Sequence, residues 1–66
     1  MEYSERAKKG IEIAENLEQL EYVEQKIKTT DQINRRTLAG RALTKELLKL
    51  SWEKSQTLIA QGEQPF

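Results

Sequence analysis

Lys28-Thr29-Thr30-Asp31 reads as the one interior break, the cluster where turn and capping chemistry is expected. That single break constrains the fold more than any other feature. β-Branched residues are sparse and no apolar–polar alternation marks a strand, so the flanking segments read as helices. The first helix is expected over about residues 3–28 and the second over about residues 31–61, with the turn at about 29–31. Thr29 with Gln32 three residues on fits a capping box, and Thr30 or Asp31 suits the N-cap instead. Gly62 follows Leu58-Ile59-Ala60-Gln61 and suits a left-handed C-cap, and Pro65 forbids continuation. Residues 62–66 are expected to be a loose tail. So short a break turns the second helix back along the first. The expected fold is all-α, a two-helix antiparallel hairpin forming a single domain over 1–66. In that hairpin Leu20 lies near Gly40, and Ile13 near Leu47 and Leu50. One continuous helix through Thr29-Thr30, forming an extended coiled coil, is the alternative.

A chain of 66 residues closes only a small core, giving roughly 3 to 5 kcal/mol. There is no Cys, hence no disulfide and no thiolate zinc site. There is no His, which removes the commonest metal ligand and general base. Self-association or a protein partner is left as the source of further burial. The simplest form is a homodimer of hairpins, a four-helix bundle. Lys+Arg and Asp+Glu both number 11, a net charge of zero. Nucleic-acid binders normally carry a basic excess. The two halves differ, however. Residues 1–24 hold seven Glu against Arg6, Lys8 and Lys9, a net −4, and residues 25–66 carry +4. The N-terminus lacks the apolar run of a signal peptide, and no stretch is long enough to span a membrane. A cytoplasmic location is expected.

From residue 11 to residue 24 a three-residue rhythm appears. Ile11, Ala14, Leu17, Leu20 and Val23 are apolar, and each is followed by Glu. On a continuous helix this row drifts across the buried arc, which centres on Ile13, Leu17, Leu20 and Ile27. Glu12, Glu15 and Glu18 then face water, while Glu21 and Glu24 approach the seam. Across the turn, Arg35 and Arg36 are expected to pair with Glu24 and fix the hairpin's register. A carboxylate metal cluster would need these Glu to converge, and they fan around the helix instead. No metal site and no cofactor is expected.

The second helix carries the expected seam of Gly40, Leu43, Leu47, Leu50 and Leu58. It also carries a second ridge, Leu48, Trp52 and Ile59, with Arg41, Lys45 and Lys49 at its rim. One partner helix cannot cover both, because a surface helix usually shows a single stripe. Trp is a favoured interface anchor. Gly10 and Gly40 read as points of close helix approach. Catalysis is not expected: Ser51 and Ser55 have no His partner, and the three glycines are too scattered for a phosphate loop. The reading is a non-enzymatic interaction module, an adaptor, inhibitor or regulatory subunit, that self-associates and binds another protein through Leu48, Trp52 and Ile59. The alternative is a nucleic-acid-associated regulator using Arg41, Lys45 and Lys49 as phosphate contacts. No membrane partner is expected.

In size and expected helix pairing the chain resembles the small helical aspartyl-phosphate phosphatases of sporulating bacteria. That family carries Ser-Gln-x-x-x-Asp on its second helix. The nearest stretch here, Ser51-Trp52-Glu53-Lys54-Ser55, has no Asp, and Asp31 lies in the turn. None of that family's chemistry carries over.

Overall fold

A computed structural model describes residues 2–62. It contains three helices: α1 over Tyr3–Ile13, α2 over Leu17–Thr29 and α3 over Leu38–Ala60. The all-α class holds, but a two-helix hairpin is not what forms. The segment expected as one helix over about 3–28 is broken at Ala14-Glu15-Asn16. Asn16 causes the break. Its backbone is extended (φ −151°, ψ 172°), and its side-chain oxygen accepts from the Gln19 N–H at 2.9 Å. Gln19 returns the favour one residue upstream, its side-chain oxygen accepting from the Glu15 N–H at 2.8 Å. Together these satisfy two amide donors at the chain reversal, in the manner of a capping box.

The helix directions follow from side-chain contacts. A Cβ at Gly10 would stand 3.5 Å from Val23, and Tyr3 shares a concavity with Lys26 and Thr29 at the far end of α2. α1 therefore runs antiparallel to α2. Lys8 pairs with Glu46 at 3.6 Å, and the Lys54 ammonium donates to the Glu12 carbonyl at 2.9 Å. Residue numbers rise together in these two contacts, so α1 runs in the same sense as α3. The expected placing of Ile13 against Leu47 and Leu50 fails for this reason: Ile13 is 64 % exposed, and Ile11 is buried in its stead.

The break also explains the three-residue rhythm. Ile11, Ala14 and Leu20 are buried, and Leu17 and Val23 are half-buried against them. The whole apolar row faces inward because the turn resets the helix phase between residues 14 and 17. Glu12, Glu15, Glu18 and Glu21 are exposed.

The second connection is longer than the sequence suggests. Thr30 does accept from the Gln32 N–H at 3.1 Å, but only as a local turn. α3 begins at Leu38 instead of residue 31. Thr37 is its N-cap, accepting from the Gly40 N–H at 2.9 Å. Three features hold the segment between α2 and α3 out of helix. Asn34 accepts from the Arg36 N–H at 3.0 Å, the Thr37 hydroxyl donates to the Asn34 carbonyl at 2.8 Å, and Ile33 is buried in the core. At the far end Gly62 has φ 100° and its N–H donates to the Ile59 carbonyl at 3.0 Å, the expected left-handed stop. The expected tail beyond Gly62 lies outside the described residues.

Ala7, Ile11, Ala14, Leu20, Ile27, Ile33, Leu47 and Leu58 form the core. All three helices and the second connection contribute to it. Ser51 is fully buried among them, and its hydroxyl has no partner among the described residues.

Candidate interaction surface

α3 presents two stripes. Leu47, Ser51 and Leu58 are buried and fall within about 40° of one another on the helix wheel. Leu48, Trp52 and Ile59 form a second arc of similar width, turned roughly 100° from the first. α1 and α2 cover the first stripe. The second stays open: Trp52 is 61 % exposed and Ile59 37 % exposed. Leu48 is half-buried and packs against the edge of the core. It is the floor of the surface, and Trp52 is its crest.

The cations take positions around this ridge. Arg41 shares its arc, Lys45 flanks it, and Lys49 lies farther toward solvent. All three are exposed. Arg41, Lys45 and Leu48 join Arg35 and Thr44 around a shallow concavity of about 320 Å³. Its walls are largely the hydrocarbon stems of the basic side chains, with charges at the tips. Lys8–Glu46 is the only ion pair among the described residues, so none of these cations is neutralised by a carboxylate there.

The expected register pairing of Glu24 with Arg35 and Arg36 does not form among the described residues. Arg35 is engaged elsewhere: its guanidinium donates to the Thr30 carbonyl at 2.9 Å and to the Ile27 carbonyl. These are carbonyls at the C-terminal end of α2, which helical hydrogen bonding leaves open. Arg35 thus caps α2 and complements its dipole. Glu24 is half-buried on α2, and Arg36 is exposed in the connection.

Gly10 and Gly40 differ in role. Gly10 does sit where α1 meets α2, with room for a methyl group. Gly40 does not mark a helix crossing: a Cβ there would stand 1.8 Å from the Asn34 carbonyl oxygen. It lets the second connection fold onto the first turn of α3.

Sequence reasoning missed a second surface. Ile13 and Tyr22 are both 64 % exposed and border one concavity between α1 and α2. A continuous first helix hides it, because only the reversal at residues 14–16 brings Gly10 to Val23. Asn16 followed by Gln19 was the available signal, with the same spacing as a capping box.

Among the described residues no three His, Cys, Asp or Glu side chains gather as a metal site requires, and no helix is long and apolar enough to cross a membrane. No family model, no curated protein and no solved structure matches this chain.

Proposed function

We propose that this chain works in the cytoplasm as a non-enzymatic binding module whose working surface is the outer ridge of α3. The observation that carries the reading is the exposure of Trp52 beside a core that closes without it. Burying so large an aromatic supplies more interface energy than almost any other residue on this surface. The cations around it require a partner that is apolar at its centre and acidic at its edge. Binding suits the chain better than catalysis because neither Ser51 nor Ser55 is presented as a nucleophile. Ser51 is enclosed in the core, and the Ser55 hydroxyl donates to the Trp52 carbonyl.

A photo-crosslinking residue at position 52, with Gln25 as an exposed control position, tests this in the living cell. The expected result is one dominant protein adduct from position 52, absent from position 25 and lost in Lys45→Glu/Lys49→Glu. Adducts to nucleic acid would move the function to the basic stripe. No dominant adduct would overturn the reading.

A further inference from the structure

We infer that the ridge of α3 on one copy seats in the groove between α1 and α2 of a second copy, so that the chain assembles head to tail. The two surfaces are opposites on one molecule. The groove is the larger concavity, about 680 Å³, with Ile13, Ala14 and Val23 as apolar lining and Tyr22 beside them. Its charged lining residues are Glu15 and Glu18, and no cation lines it. The ridge on α3 projects Trp52 and Ile59, and at its Leu48 end Arg35, Arg41, Thr44 and Lys45 surround a smaller concavity that no anion lines. The charged residues lining the groove are acidic and those lining the α3 concavity are basic, although Lys26 stands over the Tyr22 ring at the groove's edge, 5.4 Å from its centre. Arg41 and Lys45 stand one helical turn apart, and Glu15 and Glu18 three residues apart across the start of α2, so two cations can face two carboxylates at once.

The two surfaces share no residue: one is built on α3 and the second connection, the other where α2 meets α1. A single head-to-tail contact between unlike patches is heterologous and leaves a free ridge and a free groove at two copies. A two-fold contact of α3 with α3 would instead stop at a dimer. It would also leave both carboxylates of the groove unused. This inference shares the α3 ridge with the reading above but does not depend on a foreign partner.

Sedimentation across a wide concentration range, with two charge-reversed variants, tests it. The wild-type mass should keep growing beyond a dimer. Glu15→Lys/Glu18→Lys and Arg41→Glu/Lys45→Glu should each weaken association at least about tenfold, since like charges then meet. Mixing the two variants should restore growth, because a basic groove meets an acidic ridge and the reverse. Circular dichroism of each variant confirms that the helices remain. A mass that stops at two, or a groove variant that associates like the wild type, overturns the head-to-tail arrangement. A wild type that stays monomeric overturns self-association and leaves the α3 ridge to another protein.

Discussion

Gly40 and Gly10 carry opposite expectations at the scale of single residues. Adding a methyl group at Gly40 drives it into the Asn34 carbonyl, 1.8 Å away and part of the backbone. Gly40→Ala should therefore cost about 1 to 3 kcal/mol, the usual toll of overpacking. Gly10→Ala meets only Val23 at ordinary contact distance and relieves helix entropy, so it should stabilise by about 0.5 to 1 kcal/mol. Urea unfolding of the two variants checks both signs. Ser51 is a third case. Its buried hydroxyl is unpaired among the described residues, and a buried orphan costs about 1 to 3 kcal/mol. Ser51→Ala should raise the thermal midpoint. Much at this scale was legible in the sequence. The helical spacing assigns Leu47 and Leu58 to the seam, where both are buried, and Gly62 ends α3 as its position suggests. Arg35 was not legible as a cap. Its partners are backbone carbonyls, and no residue type announces a carbonyl.

At the scale of elements, the chain is decided by caps. Asn16 divides the first half into two helices, and Thr37 sets the start of α3. Asn16→Ala should cost about 1 kcal/mol, as loss of an N-cap usually does. Amide exchange at Glu15 and Gln19, whose N–H groups donate within this turn, should rise in the variant. The helical character of both halves was readable from the apolar spacing. The reversal at residues 14–16 was hidden, because Ala14 and Glu15 are good helix formers and the period-three row can be read as drift along one helix. A single polar residue, Asn16, outweighed that pattern. Asn34 and Thr37 did the same in the second connection, taking residues 31–37 out of the expected helix. Short side chains that bond to nearby backbone compete with helix, and their effect depends on geometry that spacing alone does not reveal. The α3 ridge was legible, since a seam and a second apolar stripe on one helix exceed what one neighbour covers. The α1–α2 groove was not, because it exists only once the turn at Asn16 is known.

For the whole molecule, burial separates the residues that hold the fold from those offered to a partner. Leu47 is fully buried, and Leu47→Ala should cost about 2 to 5 kcal/mol, enough to unfold a domain of this size. Trp52→Ala, on the open ridge, should leave stability within about 0.5 kcal/mol and the far-ultraviolet spectrum unchanged. Comparing the two by thermal melts separates core from surface directly. The direction of α1 also bears on how the chain folds. α2 and α3 are neighbours in sequence, but Lys8 must find Glu46, and Lys54 must find Glu12, across most of the chain. Closing that loop costs entropy before any contact rewards it. α1 is also the shortest helix and has no side-chain N-cap bond. The α2–α3 pair should therefore form the folding nucleus, with α1 docking last and detaching first. Ile11→Val should then chiefly speed unfolding, and Ile27→Val chiefly slow folding, as stopped-flow kinetics would resolve.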